Sequence, residues 1–151
     1  MTQARVEPAA RLFSIAEVNA MIPSLSALVE TQLREQSEIE QGLAELTQLT
    51  GKPPRSLAAN ADDSSEVARL KQDLRRRVRR YEARWVEVQN LGGVVKDPRI
   101  GLVDFYGKIE GRTVWLCWRY GEESSGYYHD LDSGFSGRRA LTPAVRRTLV
   151  N

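Results

Sequence analysis

The segment from Lys96 to Arg139 holds the only cysteine of the chain, Cys117, and its only histidine, His129. Around them stand Asp104, Arg119, Glu122, Asp130, Asp132 and Arg138. Carboxylate and imidazole are the ligand types that bind divalent metals such as zinc. Asp104, Glu122, His129 and Asp132, with Asp130 beside them, are therefore candidate metal ligands. No His-x-x-x-His or Cys-x-x-Cys spacing accompanies them, and the same acids serve as ordinary turn and edge charges near a half-exposed histidine. Cys117 and His129 also form a candidate nucleophile–base pair, with Asp104 orienting the imidazole and Arg119 favouring the thiolate. Against this, no strand-to-helix elbow or oxyanion loop surrounds Cys117, and a mid-strand cysteine commonly packs as a small hydrophobe. The loop Gly134-Phe-Ser-Gly137-Arg138-Arg139 sets two glycines beside two arginines, a pattern that can grip an anion. Pairing of those arginines with Asp130, Asp132 or Glu122 accounts for the same residues.

Strands must position these groups. After Gly93 the hydrophobic period changes from that of a helix to two. Residues 102–109 and 112–119 read as strands joined by the two-residue turn Glu110-Gly111. That turn sets a register in which Ile109 faces Arg112, Tyr106 faces Trp115, Phe105 faces Leu116 and Asp104 faces Cys117. One face then carries Val103, Phe105, Ile109, Val114, Leu116 and Trp118, a core face directed at helices. The other carries Asp104, Tyr106, Lys108, Trp115, Cys117 and Arg119 and is expected to be open. A third strand within residues 126–131, paired so that Tyr127 lies opposite Arg119, brings His129 beside Cys117. The row Asp104–Cys117–His129 would then cross the open face as a ligand-binding site, with Arg119, Glu122 and Arg138 at its margin. A one-residue slip of that strand would turn His129 to the opposite side.

The preceding half reads as helix. Residues 1–12 form an arm. Ser14-Ile-Ala-Glu17 is a capping box, with Phe13 placed to staple onto Val18. The first helical region spans residues 13–50, with a break or kink near Pro23 because proline cannot donate within a helix. Its apolar positions Leu25, Leu28, Val29, Leu33, Ile39, Leu43, Leu46 and Leu49 recur mostly at spacings of three and four. Residues 51–65 form a linker whose small and polar composition favours mobility. A second helix over residues 66–91 carries Val67, Leu70, Leu74, Val78, Tyr81, Trp85, Val88 and Leu91 and stops at Gly92-Gly93. Its run Arg75-Arg76-Arg77-Val78-Arg79-Arg80 suggests nucleic acid. Pairing with the acidic first helix explains the run without it. Residues 94–139 form the sheet region and residues 140–151 the tail, with a short helix from Thr142-Pro143.

The expected fold is a single α+β domain over residues 1–151: a long antiparallel helical hairpin packed on a small antiparallel β-sheet. Exposed helix seams of this length invite a homodimer. A net charge of +2 argues against polyanion binding by bulk charge. One cysteine excludes an internal disulfide and fits a reducing, cytoplasmic setting. No signal-peptide h-region or bilayer-spanning run is expected.

Longer motifs add a resemblance. Lys96-Asp97-Pro98, Gly101-Leu102-Val103-Asp104-Phe105, Leu116-Cys117-Trp118, Gly121-Glu122, Tyr128-His129 and Asp132-Ser-Gly134-Phe135-Ser-Gly137-Arg138 resemble the bacterial family catalogued as Domain of Unknown Function 2203. The opening Phe13-Ser-Ile-Ala-Glu17-Val-Asn19-Ala-Met-Ile-Pro23 is similar to the start of that family. The resemblance implies a small bacterial cytosolic protein and brings no activity with it. It makes Asp104, Cys117, Glu122, His129 and Arg138 a shared site. The reading that follows is a non-enzymatic module that binds a small anionic ligand or a divalent metal. A metal- or Cys/His-dependent hydrolase and an adaptor acting through the arginine-rich helix stand as its alternatives.

Overall fold

The computed structural model of the chain describes residues 11–146. Most of the expected arm, and the tail beyond Arg146, lie outside the described residues. The elements are α1 (Ile15–Thr50), α2 (Ser65–Asn90), β1 (Val94–Asp97), β2 (Leu102–Ile109), β3 (Arg112–Arg119), β4 (Tyr127–Asp130), a 3-10 turn at Phe135–Gly137, β5 (Arg139–Ala140) and α3 (Pro143–Arg146). The strands form one antiparallel sheet in the order β1-β2-β3-β4-β5. The class is α+β, as the change of hydrophobic period implies. The chain divides into two compact units, one of residues 11–30 with 88–146 and one of residues 31–87. No helix among the described residues is long and apolar enough to cross a membrane.

In the unit of residues 31–87, α1 and α2 run antiparallel. Gln32 donates to the Tyr81 carbonyl at 2.6 Å, and Arg77 bonds Glu38 further along. Leu46, Val67 and Leu74 are the buried core, with Leu43, Leu57 and Leu70 packed against it. The arginine run is largely held by its own hairpin. Arg77 also reaches Asp73 at 3.1 Å, Arg76 lies 3.6 Å from Asp73, and Arg75 donates to the Leu57 carbonyl at 2.6 Å. The linker is fastened where Lys71 donates to both oxygens of Asp63 (2.9 and 3.0 Å) and to the Ala58 carbonyl. The large hydrophobics left exposed among the described residues are Leu49, Val86 and Tyr127. Along the helix seams Leu28, Leu33, Ile39, Leu43, Leu70, Val78 and Tyr81 are half-buried.

In the other unit, residues 15–30 of α1 bury Val18, Ile22, Leu25 and Val29, at helical spacing. The Ser14–Glu17 capping box forms as expected, with bonds of 3.0 and 3.1 Å. The expected break at Pro23 does not occur: α1 runs through it. Pro23 is exposed, so its ring projects away from the packed face. The missing amide costs the helix its bond to the Asn19 carbonyl. The Asn19 side chain is tied separately, accepting from the Ser125 amide at 2.8 Å.

Phe13 meets Phe105 edge-on, with ring centroids 5.2 Å apart. It thus joins the helix entry to the sheet face that also buries Val103, Ile109, Val114, Leu116 and Trp118. The β2–β3 register matches the expected one at every position, because Glu110 and Gly111 both take positive φ (52° and 77°), as a tight hairpin turn requires. α2 ends where the Gly92 amide bonds the Gln89 carbonyl and the Gly93 amide bonds Val88, with Gly92 at φ 101°.

Gly92 and Gly111 share the left-handed conformation but differ in surroundings. A Cβ at Gly92 would stand 2.3 Å from the Phe13 ring, whereas one at Gly111 would meet nothing within 4 Å. Gly111→Ala should cost roughly 1–2 kcal/mol from backbone strain alone. Gly92→Ala should add an overpacking penalty of about 1–3 kcal/mol. Urea unfolding of the two variants checks this; equal losses would mean that Phe13 yields freely.

Candidate functional site

The second face of the sheet is not open. Asp104 and Cys117 are fully buried and His129 is 2% exposed. The expectation of an exposed row fails because residues 131–138 fold across it. Trp115 donates to the Leu131 carbonyl at 3.3 Å, the Ser133 backbone faces the His129 ring, and Arg138 reaches the Cys117 thiol. At the other side Tyr106 stacks on Trp115 with centroids 4.1 Å apart, and the Lys96 ammonium lies 3.8 Å from the Trp115 ring centre.

The third pairing also differs from expectation. Cys117 lies opposite Tyr127, and Trp115 opposite His129. The strand is thus two residues from the expected register, which keeps His129 on the same face. The cause lies in the turn between β3 and β4. The Glu122 carboxylate accepts from the Arg119 amide at 2.8 Å, and the Ser125 hydroxyl donates to the Cys117 carbonyl at 3.0 Å. The end of β3 is thereby satisfied by side chains, and the ladder with β4 begins only at Cys117.

From its diagonal position His129 spans to Asp104, with Nε2 2.8 Å from Oδ2. Its Nδ1 lies 3.0 Å from the Asp130 carbonyl oxygen. Both ring nitrogens thus face oxygen acceptors. A neutral imidazole has one N–H to give, so the contacts are satisfied by an imidazolium beside a carboxylate, or by one further proton held between the two. Burial opposes the charged ring, but the hydrogen bond and charge of Asp104 outweigh it, and the His129 pKa is raised above 6.5. The thiol of Cys117, directly across the β2–β3 ladder from Asp104, is pushed up to about 12 by burial and then by the Asp104 carboxylate, with Arg138 opposing. Oδ1 of Asp104 is buried without a hydrogen-bond partner. The candidate ligand atoms of Asp104, Cys117 and His129 all lie within 4.8 Å of one another.

The remaining candidates separate from this trio. Glu122 holds Arg138 at 3.0 and 3.1 Å and does not join the ligand set. Asp132 is exposed and also stands outside it. Asp130 binds Arg112 and Arg139 at 3.0 and 2.9 Å. Arg119 is exposed, with its guanidinium over Phe135, so the cation beside the thiol is Arg138 instead. The Arg138–Glu122 and Arg139–Asp130 pairs realise the internal pairing considered for the glycine–arginine loop. Lys96 over Trp115 went unforeseen, since nothing in the spacing of the first strand signals a contact two strands away.

Comparison with known proteins gives one match. The profile of the family described as Uncharacterized conserved protein (DUF2203) matches residues 11–141. No curated protein and no solved structure matches the chain.

The Asp104–His129 contact sets a pH dependence. A histidine whose folded pKa is raised adds stability that is complete below the unfolded value of 6.5 and is lost as pH rises through the folded value. Stability of the metal-free protein should therefore decline from about pH 6.5 upward, and Asp104→Asn should flatten that slope. Asp104→Asn and His129→Gln should each cost roughly 3–5 kcal/mol by leaving a buried group unmatched, and the double variant should cost less than their sum. Denaturant titrations at several pH values measure all three. Additive losses with an unchanged slope would remove the pair as the source.

Proposed function

We propose, from the premise that the chain belongs to the DUF2203 family of uncharacterised conserved proteins, that it is a non-enzymatic module binding one divalent transition metal ion through Asp104, Cys117 and His129. The observation that carries this reading is the convergence of three different ligand atoms within 4.8 Å, one of them on a carboxylate whose second oxygen is buried and unpartnered. Mixed thiolate, imidazole and carboxylate donors suit a borderline-soft ion, zinc above all. Neighbouring ligand atoms around a tetrahedral zinc lie about 3.3–3.8 Å apart. The His129–Asp104 contact of 2.8 Å would thus open by about half an ångström.

Charge supports the same reading. With a protonated ring, a carboxylate and a neutral thiol, the trio is neutral. A divalent ion replacing the proton at Nε2 and the proton of the thiol leaves it neutral again. Arg138 is already balanced by Glu122, so no uncompensated cation faces the ion.

The nucleophile alternative has less in its favour. Both imidazole nitrogens are engaged elsewhere, and a thiol pushed up to about 12 holds almost no thiolate at neutral pH. Binding of a free anion by Arg138 competes with an existing carboxylate partner and two aromatic rings.

Calorimetry with zinc should give one ion per chain and release two protons, read from the dependence of heat on the buffer's ionisation enthalpy. Affinity should rise with pH, by up to about a hundredfold per unit while both protons remain bound. Saturation at a hundred times Kd should stabilise the fold by about 2.7 kcal/mol. Cys117→Ser and His129→Gln should weaken binding strongly. Absence of stoichiometric binding, or equal affinity in Cys117→Ser, would overturn the proposal.

A further inference from the structure

The trio is enclosed, so anything that reaches it must first displace what covers it. Residues 131–138 supply that cover, and one side chain fastens it. The Arg138 guanidinium lies 3.0 and 3.1 Å from the two oxygens of Glu122. It also lies over the rings of Tyr127 and Phe135, at 3.9 and 4.2 Å from their centres, and touches the Cys117 thiol. Glu122 is itself fixed, since its carboxylate accepts from the Arg119 amide and its carbonyl accepts from Trp118 at 2.9 Å. One end of the pair is thus anchored in the β3–β4 turn and the other in the covering segment. The segment's other ties lie at its start, where Trp115 donates to the Leu131 carbonyl and Ser133 bonds the Asp130 carbonyl, and its middle packs little. Gly134 has no atom within 4 Å of where a side chain would stand, and neither it nor the 3-10 turn buries a residue.

We propose that residues 131–138 are a lid over Asp104, Cys117 and His129, latched by the Glu122–Arg138 pair, and that opening of this latch controls access to the trio. As an entry gate for a metal ion the lid rests on the function proposed above. As a barrier to solvent it does not, and the two can be tested apart.

Cys117 is the only cysteine, so its reaction with 5,5′-dithiobis(2-nitrobenzoic acid) reads lid opening without any metal. The thiolate attacks the reagent's disulfide, forming a mixed disulfide and releasing one thionitrobenzoate, which is counted by its colour. Native protein should react far more slowly than protein unfolded in urea. Glu122→Gln and Arg138→Ala should each raise the native rate about tenfold, the scale of one lost charge-assisted hydrogen bond. Arg139→Gln, which breaks only the Arg139–Asp130 pair, should leave it unchanged. The accelerated rates should be insensitive to low urea, as local opening is, whereas a steep urea dependence would assign the reaction to global unfolding and overturn the lid. Equal rates in all four proteins would also overturn it. Cobalt(II), followed by its thiolate charge-transfer absorption, completes the test: its uptake should quicken in the same two variants. Faster labelling with no cobalt bound would leave the lid standing and remove the metal reading.

Discussion

The contact between Asp104 and His129 is the constraint around which the sheet is arranged. Two ionisable side chains with essentially no exposure meet across three strands. Each alone would carry the full desolvation penalty of a buried polar group, so each requires the other. That requirement fixes more than one distance. β2 and β3 must stand in the register that the Glu110-Gly111 turn dictates, and β4 must present His129 on the diagonal beyond Cys117. A one-residue slip of β4 would aim the imidazole into the apolar side and strand Asp104. The second ring nitrogen extends the constraint to the Asp130 carbonyl, where β4 hands over to the covering segment.

Both faces of this antiparallel sheet are buried, but by different means. One face is apolar and packs on residues 15–30 of α1, as a sheet covered by a helix ordinarily does. The other is a polar layer: Glu122 with Arg138, then the Cys117 thiol, then Asp104 with His129, whereas Asp130, opposite Val114, pairs with Arg112 and Arg139 at the rim of the apolar face. Such a layer is stable only when its members are matched, and nearly all are. The buried Oδ1 of Asp104 is the exception at its centre, and the thiol and imidazole stand beside it.

What the sequence revealed was mostly local. The capping box, the Schellman stop at Gly92-Gly93 and the β2–β3 register each depend on a few adjacent residues, and each formed as those residues imply. The β3–β4 register depended instead on side chains that replace ladder bonds, Glu122 on the Arg119 amide and Ser125 on the Cys117 carbonyl. Period-two patterning does not encode such substitutions. Asp104, Cys117 and His129 were still recognisable as neighbours, because a shift of two residues preserves the face. Their burial was not recognisable. Residues 131–138 read as a polar glycine-rich loop, and their role as a cover comes from Arg138 reaching a partner sixteen positions back. The strand β5, two residues long, leaves no periodic signal at all.

The same environment bears differently on the two chemistries considered for Cys117. Burial beside a carboxylate suppresses the free thiolate, which removes a nucleophile. It does not oppose coordination, because an incoming divalent cation supplies the positive charge that the departing protons take away. A purely structural explanation must account for why this layer is polar, since well-packed apolar side chains of similar size would usually be no less stable than a buried ion pair. It must also account for a buried carboxylate oxygen whose nearest available donor is a thiol, a weak one. Metal coordination assigns work to each of these features at once: the second oxygen, the suppressed thiol and the shared proton become three places where one ion exchanges for hydrogen.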